Sequence, residues 1–288
     1  MFFSVIIPTC NRNDLLAKCL AQLQPDVQTL QGVAYEIIVT DDSAGEGAAA
    51  LIAEQFPLVQ WTAGPRRGPA ANRNNGAQLA KGEWLVFLDD DCEPNKELLA
   101  AYWQAIQENG LVLVLEGKII TNRPFKHAWE IAPINVTGGK LWSCNFSIQK
   151  HLFQQINGFD EHFQYPHMED VDLRKRVKDF SEILFVANAY VVHPPRLLPN
   201  GIKLGKYHEA EVYYYKKHKM KLSKYMLMRS ILNERLHRLL KNKFSLYTIK
   251  GFYYLLQELI IVQRNYQKWE KNKMTDYVSS SSKIVLNS

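Results

Sequence analysis

The sequence predicts an α/β fold in which a mostly parallel β-sheet is flanked by helices. From Ser4 to Glu108, short apolar runs of strand character alternate with stretches of helical periodicity. The strand runs are almost entirely apolar, as in strands that are buried on both faces of a parallel sheet. Hydrophobic residues make up 47% of the 288 residues and charged residues 22%, which is the composition of a chain with a substantial core.

Four strand–helix pairs build the first part of the predicted fold. The predicted strands are Ser4–Pro8, Glu36–Thr40, Val59–Thr62 and Glu83–Leu88. The predicted helices that follow them are Asn13–Leu23, Glu46–Gln55, Ala70–Ala80 and Asn95–Glu108. In the first helix, Leu16, Leu20 and Leu23 recur on one face, which is the spacing of a helix that buries one side.

The alternation loosens after Leu111–Leu115. Leu141–Ile148 and Ile183–Val192 have strand character, and Lys150–Ile156 and Glu169–Asp179 have helical character. These segments predict further strands and helices in a less regular order.

The charge distribution separates the C-terminal region from the rest of the chain. Residues up to Ile202 contain 17 Lys and Arg against 23 Asp and Glu, whereas the residues from Lys203 onward contain 18 against 6, a net charge of +12. Apolar residues at helical spacing over 222–239 and 246–259 predict two amphipathic helices there. We therefore predict a catalytic domain over 1–202 and a basic helical extension over 203–288, with a frayed end at the serine run 279–282.

Targeting signals and membrane spans are not evident in the sequence. Met1–Ser4 leads directly into a strand and lacks the basic region and cleavage site of a signal peptide. No stretch reaches the roughly 20 apolar residues that cross a bilayer, and Glu258 interrupts the nearest, Phe252–Val262. The four cysteines have no zinc-like spacing and are typical of a reducing compartment. We expect a soluble, cytoplasmic protein.

Polar segments follow three of the predicted strands. Thr9–Arg12 follows the first strand, Asp41–Ser43 the second, and Asp89–Asp91 the fourth. Because parallel strands end at the same edge of a sheet, we expect all three segments to lie together. Open α/β sheets bind ligands in the crevice at this edge.

The triplet Asp89–Asp91 predicts a cation site. Three adjacent carboxylates repel one another, so a fold that holds them at a strand end usually has a cation there. Oxygen ligands of this kind favour Mg²⁺ or Mn²⁺, with phosphate oxygens of a substrate completing the shell. An acidic loop that caps the helix after Pro94 is the alternative, and the triplet alone does not decide between the two.

Two weaker features suggest a nucleotide. A carboxylate of Asp41 or Asp42 could accept a hydrogen bond from a base N–H or a ribose hydroxyl, although both residues are also typical of turns and helix caps. Gly68 and Arg73, at the start of the third helix, could place backbone N–H groups and a guanidinium near phosphate.

Taken together, these segments resemble family 2 glycosyltransferases, which have the GT-A fold, a Rossmann-like mixed sheet. The similarity covers about residues 3 to 195. Its blocks, in order, are Val5–Arg12, Ile37–Ser43, Gly68 to Asn74, Phe87–Asp91, Cys144–Ser147, Gly158–Glu161 and Glu169–Asp172. The block Phe87–Asp91 is similar to the Asp-x-Asp motif of the family. The resemblance implies that residues 1–118 bind a nucleotide-diphosphate sugar and that residues 119–202 bind the acceptor.

The resemblance also implies roles for individual residues. Those implied to bind the donor are Pro8, Thr9, Arg12, Asp41, Asp42, Gly68, Arg73, Asp89 and Asp90, with Trp142 where a ring could stack on a sugar. Asp91 and Asp89 match the outer carboxylates of Asp-x-Asp, and His193 matches a late histidine that joins the metal site in many relatives. Asp170 matches the general base, and Glu169 precedes it.

Plainer interpretations of the later residues stay open at this point. His193 could be an ordinary histidine at a strand end, and Trp142 a core residue. The charges of Glu169–Asp172 could form a solvated helix face, with Asp172 and Arg176 paired at i,i+4.

The implied chemistry is an inverting transfer of one sugar to a glycan or lipid-linked acceptor. A carboxylate at the acceptor can take the hydroxyl proton, and a divalent ion, Mn²⁺ or Mg²⁺, can neutralise charge on the departing diphosphate. A base that faces the metal across the sugar implies inversion at the anomeric carbon. The Gln-x-x-Arg-Trp motif and the membrane spans of processive synthases are missing from the sequence, which favours single transfer.

Three other functions remain as alternatives. A sugar-phosphate nucleotidyltransferase needs a Gly-rich phosphate loop, and Pro8–Asp14 contains no glycine. An inactive, membrane-docked binding module would not need the carboxylates of Asp89, Asp91 and Asp170, and their presence argues against this alternative. A nucleic-acid binder is suggested only by the basic extension and is not expected. We expect the extension to meet an anionic membrane surface, with packing on the catalytic domain or homodimerisation as alternatives.

Overall fold

The computed structural model describes residues 1–199, 201–241 and 246–272, and it confirms the predicted α/β fold. The strands are β1 Phe3–Thr9, β2 Tyr35–Asp41, β3 Val59–Ala63, β4 Trp84–Leu88, β5 Glu93–Pro94, β6 Val114–Ile120, β7 Glu130–Ile131, β8 Asn145–Gln149, β9 Ile183–Val192 and β10 Arg196–Leu197. The helices are α1 Asn13–Gln22, α2 Ala49–Gln55, α3 Pro69–Leu79, α4 Leu98–Glu108, α5 Lys150–Gln155, α6 Glu169–Val177, α7 Gly201–Lys217, α8 Lys224–Lys241 and α9 Leu246–Lys271.

The main sheet has eight strands in the order β3-β2-β1-β4-β8-β6-β9-β5. The first four are parallel, as the alternation of strands and helices predicted. Strand β8 then pairs antiparallel with both β4 and β6, whereas β9 is parallel to β6. The sheet is therefore mixed, and its parallel half holds the segments that the sequence placed at one edge.

Helices cover both faces of this sheet because alternate residues of each strand point to opposite sides. On one face, Val5 and Ile7 of β1 pack with Leu16 and Leu20 of α1. On the other face, Ile6 packs with apolar residues of α3, α5 and α6. The two cores explain why the strands read as continuous apolar runs.

The chain forms two compact units that do not follow chain order. The first consists of residues 1–122, 133–164 and 169–194, and contains the eight-stranded sheet with α1 to α6. The second consists of 123–132, 165–168 and the residues from Pro195 onward, and contains the two-stranded β7–β10 sheet with α7 to α9. The functional division at residue 202 stays a prediction.

Both helices predicted in the basic extension are present, as α8 and α9, but the described part of this region contains a third helix, α7, that the sequence pattern did not predict. Helix α7 was missed since its buried side includes Gly205, His208 and Glu209 beside apolar residues, which obscures the apolar period. None of the described helices is both long and apolar enough to cross a bilayer. The predicted frayed end at 279–282 lies outside the described residues.

Candidate active site

The carboxyl ends of β1, β2 and β4 meet at one edge of the sheet. In the β1–β2 register, Pro8 lies opposite Thr40 and Thr9 opposite Asp41. The hydroxyl of Thr9 donates a 2.7 Å hydrogen bond to a carboxylate oxygen of Asp90, in the segment that follows β4. The polar segments that follow β1 and β4 are therefore in direct contact, as parallel strands require.

Arg12, which immediately precedes α1, joins two carboxylates of the triplet. Its guanidinium lies 2.7 Å from Asp90 Oδ1 and 3.1 Å from Asp91 Oδ2. Burial raises the pKa of Asp90 to about 7, although the charge of Arg12 opposes that shift. The guanidinium thus offsets part of the repulsion that the sequence implied for three adjacent acids.

His193, the residue after β9, faces Asp91. Its Nε2 lies 3.2 Å from Asp91 Oδ1, and both side chains are buried. Its Nδ1 lies 2.8 Å from the carbonyl oxygen of Pro194, a group that can only accept, so the neutral ring carries its proton on Nδ1. Burial works against the charged imidazolium, but the hydrogen bond and charge of Asp91 raise the pKa of His193 above its ordinary value.

Three consecutive residues of α3 bind three different parts of the first unit. The Asn72 amide donates to the carbonyl of Thr40 at 2.9 Å and accepts from the Thr40 hydroxyl at 2.6 Å. The Asn74 side chain donates to the Phe159 carbonyl at 2.8 Å and accepts from the Phe159 N–H at 2.9 Å. Arg73 lies between them in the sequence and reaches the acidic segments.

Arg73 connects the Asp triplet to the start of α6. Its Nη2 lies 2.6 Å from Asp89 Oδ1, and its Nη1 lies 3.1 Å from Glu169 Oε1. Burial disfavours the guanidinium charge, but the two carboxylates more than offset this and raise the pKa of Arg73 above its usual range. The residue after Glu169 is Asp170, so one buried cation joins the segment after β4 to the segment that carries the predicted base.

The acids at the start of α6 are buried, which excludes a solvated helix face. Burial, with the charge of Asp170, raises the pKa of Glu169 above its ordinary value, and the charge of Arg73 opposes this shift. Asp170 accepts a 2.7 Å hydrogen bond from the N–H of Val171, at a helix end whose dipole favours negative charge. Asp172 and Arg176 form the expected i,i+4 ion pair at 2.8 Å, and this pair too is mostly buried.

Asp41 and Asp42 bind the protein's own backbone. Asp41 accepts hydrogen bonds from the N–H groups of Ser43 at 2.8 Å and Ala48 at 2.7 Å, and so shapes the loop after β2. Asp42 accepts from the N–H of Arg66 at 2.9 Å and of Gly68 at 3.3 Å. Both carboxylates therefore support the two loops that border the edge, which is the turn-forming role that residue type alone suggested.

Gly68 occupies the cap position of α3 with φ of 93°. A Cβ built there would lie 2.1 Å from the carbonyl oxygen of Gln164. Only glycine fits this backbone angle and this approach without displacement.

Trp142 is half-buried and donates through Nε1 to the carbonyl of Ile134 at 3.4 Å. Its ring packs on the core that includes α1 and α4. The structure thus gives Trp142 a packing role.

Two residues of this region were not singled out by the sequence pattern, Cys92 and Glu116. Cys92 directly follows the triplet, and Asp91, Cys92 and His193 offer potential ligand atoms within 4.8 Å of one another. Glu116 of β6 is buried and accepts hydrogen bonds from the N–H groups of Gly139, Lys140 and Leu141. A glutamate that directly follows the apolar run Leu111–Leu115 was the available signal for Glu116.

Known proteins with similar sequences cover part of this chain. A GalNAc(5)-diNAcBac-PP-undecaprenol beta-1,3-glucosyltransferase of Campylobacter jejuni is 33% identical over 56% of this chain and 55% of its own length. A poly(ribitol-phosphate) beta-glucosyltransferase of Bacillus spizizenii is 31% identical over 38% of this chain and 18% of its own length. The chain therefore spans little more than half the length of the Campylobacter relative and less than a fifth of the Bacillus relative.

The fold also has counterparts among solved structures. The crystal structure of S. aureus TarS in complex with UDP-GlcNAc superposes with a TM-score of 0.60 at 18% identity, over 98% of this chain and 91% of the other. The sequence model for glycosyl transferase family 2 matches residues 4–168, more than half of the chain. The acidic edge of the sheet, the buried start of α6 and this match lead to one conclusion: the chain belongs to glycosyl transferase family 2.

Proposed function

We propose that the protein transfers a single sugar from a nucleotide-diphosphate donor to a hydroxyl of a glycan or lipid-linked acceptor, with inversion at the anomeric carbon. The similarity to two glucosyltransferases and to a UDP-GlcNAc-bound structure supports this class of donor. The undecaprenol-linked substrate named for the Campylobacter relative supports a lipid-linked acceptor.

The observation that carries the proposal is the double ion pair of Arg73. It places Asp89, at the end of β4, and Glu169, at the start of α6, on the same buried guanidinium. A donor-binding segment and an acceptor-activating segment must be held in fixed relation for direct displacement, because misplacement of reacting groups by about 1 Å can cost roughly 100-fold in rate.

The nucleotide is proposed to lie at the edge formed by β1 and β2. An open cleft there is lined by Asn11 and Arg12 from the loop after β1, by Asp14 from the first turn of α1, and by Ala44 and Gly47 from the loop after β2. The guanidinium of Arg12 is partly exposed in this region and can face a phosphate or ribose. In this proposal Asp41 and Asp42 act through the loops that they hold.

The residues around His193 fit a divalent ion. The neutral ring directs the Nε2 lone pair at a carboxylate oxygen of Asp91 only 3.2 Å away, an arrangement that favours a proton or a cation between the two atoms. An imidazole nitrogen and a carboxylate oxygen are ligands that Mn²⁺ accepts. Asp91 and His193 would therefore hold the ion, with Asp89 next to it. When bound, the ion supplies neutralisation of charge on the departing diphosphate.

Asp170 is proposed as the general base. Its carboxylate accepts the proton of the acceptor hydroxyl while the hydroxyl oxygen forms a bond to the anomeric carbon. The bond from that carbon to the diphosphate oxygen breaks at the same time, and the nucleoside diphosphate leaves with its electron pair. Attack from the face opposite the leaving group inverts the configuration. Glu169 keeps Arg73 in place beside the base.

A donor-binding experiment tests the proposal. A panel of UDP-, GDP- and dTDP-sugars is added to the full chain with Mn²⁺ and the melting temperature is measured, because a ligand at 100 times its Kd stabilises the folded state by about 2.7 kcal/mol. We expect one class of donor to raise the melting temperature and to release its nucleoside diphosphate when an acceptor is added. Release of pyrophosphate from a nucleoside triphosphate would instead identify a nucleotidyltransferase.

A further inference from the structure

Helix α9 has two apolar faces, only one of which is used within the second unit. The buried face contains Leu255, Val262, Tyr266 and Trp269, which pack with residues of α7 and α8. The sequence pattern had combined residues of both faces into a single amphipathic face. The structure separates them, since Leu259 packs on this core whereas Leu256 is 57% exposed.

The second face is a stripe of large apolar side chains in contact with solvent. We name this set the α9 stripe: Ile249, Phe252, Tyr253, Leu256 and Ile260, with 39% to 57% of each residue exposed. The spacing of three and four residues places all five on one side of the helix. Positions 249–260 of α9 contain two charged residues, of which Lys250 is exposed and Glu258 is buried. The stripe is therefore not interrupted by an exposed acid.

The charge around the stripe favours an anionic surface as its partner. Residues 203–288 carry 18 Lys and Arg against 6 Asp and Glu. On α9 itself, four basic residues are exposed, Lys250, Arg264, Lys268 and Lys271, against one exposed acid, Glu270, while the acid Glu258 is buried. A second copy of this chain would bring an equally basic region to the contact, which like charges oppose.

We propose that the α9 stripe is the face by which the protein inserts into the interfacial layer of an anionic phospholipid membrane. Apolar side chains on one side of a helix, with basic residues beside them, are the features of helices that lie in the plane of a membrane interface. The basic residues attract the helix to anionic headgroups, and this attraction falls off within a Debye length of about 8 Å at physiological salt. The stripe supplies the apolar contact that salt does not screen.

A pair of matched double variants tests the proposal in the full chain. F252S/L256S removes one Phe and one Leu from the stripe. F180S/L111S makes the same chemical change in the first unit, where Phe180 is 52% and Leu111 97% exposed. All four residues are exposed, by 42% to 97%, and none belongs to a buried core cluster, so neither variant opens a core. Unchanged melting temperatures confirm that both remain folded.

Binding is measured by sedimentation with phosphatidylcholine vesicles, with and without phosphatidylglycerol. We expect the native chain and F180S/L111S to bind equally to the anionic vesicles, and F252S/L256S to bind about tenfold more weakly. Binding should weaken in high salt and should be lower on neutral vesicles. Because no donor or acceptor is present, the result does not depend on the proposed transferase activity.

Two results would overturn the proposal. Equal binding of F252S/L256S and the native chain would show that the basic residues suffice, or that another surface binds. Absence of vesicle binding, together with a dimer in analytical ultracentrifugation that F252S/L256S dissociates, would identify the stripe as an interface between protein chains.

Discussion

The guanidinium of Arg73 and the carboxylate of Glu169 lie 3.1 Å apart and are both almost completely buried, although 96 positions separate them in the sequence. An ion pair of this kind is costly to break from one side, because the remaining charge is then buried without compensation. The pair therefore fixes how α6 sits beside α3, and with it the position of Asp170.

Removing the cation should destabilise the protein more than neutralising the acid. We expect Arg73→Met to lower the free energy of unfolding by about 3–5 kcal/mol, because Asp89 and Glu169 lose their shared partner. Glu169→Gln keeps an oxygen that accepts from Arg73 and should cost less than about 2 kcal/mol. Urea unfolding of both variants measures the difference. A larger loss for Glu169→Gln would contradict this account of the pair.

Asp91→Asn should weaken metal binding. The amide oxygen is a poorer ligand than a carboxylate, so Mn²⁺ affinity should fall roughly 10- to 100-fold, with donor affinity falling in parallel. Mn²⁺ binding is measured by electron paramagnetic resonance, independently of activity, and Asp179→Asn on the surface is the control. Native affinity in Asp91→Asn would remove this residue from the metal site, as would full transfer activity in excess chelator.

Asp170→Asn should abolish base catalysis and spare donor binding. The side chain keeps its shape but does not accept the proton, so turnover should fall roughly 10²–10⁴-fold. Calorimetric titration with the donor should give a nearly native Kd. If donor binding is lost while turnover per bound donor stays normal, Asp170 has a structural role only.

Glu116→Gln should loosen the loop that runs from Gly139 to Leu141. The carboxylate accepts from backbone N–H groups of this loop, and a glutamine amide would place N–H donors against them. We expect a loss of about 1–3 kcal/mol in stability. Hydrogen exchange at the amides of residues 139–141 should accelerate, with Glu83→Gln, an exposed acid, as the control. Unchanged exchange would mean that other contacts hold the loop.

The second unit should lose stability as pH rises from about 6.5 to 9. His208 lies 2.9 Å from Glu258 and 3.3 Å from Glu211, while Arg235 also binds Glu258 and His167 also binds Glu211. Burial opposes the charged ring, but the two carboxylates raise the pKa of His208 to about 9 from an ordinary 6.5.

The folded state therefore holds the His208 proton more tightly than the unfolded chain does. This contribution is complete below pH 6.5 and disappears as pH passes 9, a change of roughly 3 kcal/mol. Both glutamates have lowered pKa values, so their contribution is lost in acid instead. Urea unfolding of the native chain and of His208→Gln should show a stability difference that is largest near pH 5–6.5 and shrinks by pH 9. A difference that does not vary with pH would contradict this assignment.

The sequence was most informative where local pattern and strand direction decide structure. The apolar runs predicted β1 to β4 and their parallel order, and parallel order alone places Thr9 beside the segment that contains Asp90. The partners of buried charges were not predictable in this way. Arg12 lies 79 positions from Asp91, and such contacts depend on how loops fold over the sheet edge.

The basic extension shows a second limit of sequence patterns. Periodicity identifies an apolar side of a helix but does not tell which apolar residues meet another helix. In α9, Leu255 is buried and Leu256 exposed although they are neighbours of the same type. Helix α7 was hidden because a buried ion-pair network, centred on His208, takes the place of apolar residues on its inner side.

The three consecutive contacts of α3 also bear on how related sequences can differ in length. Asn72, Arg73 and Asn74 point in directions about 100° apart, each toward a different partner. Inserting or deleting one residue between Gly68 and Asn72 would turn the helix by that angle and remove all three partners at once. In related sequences, the spacing from Gly68 to Asn74 should therefore stay constant. Insertions and deletions should occur instead in the surface segments before β3 and after α4.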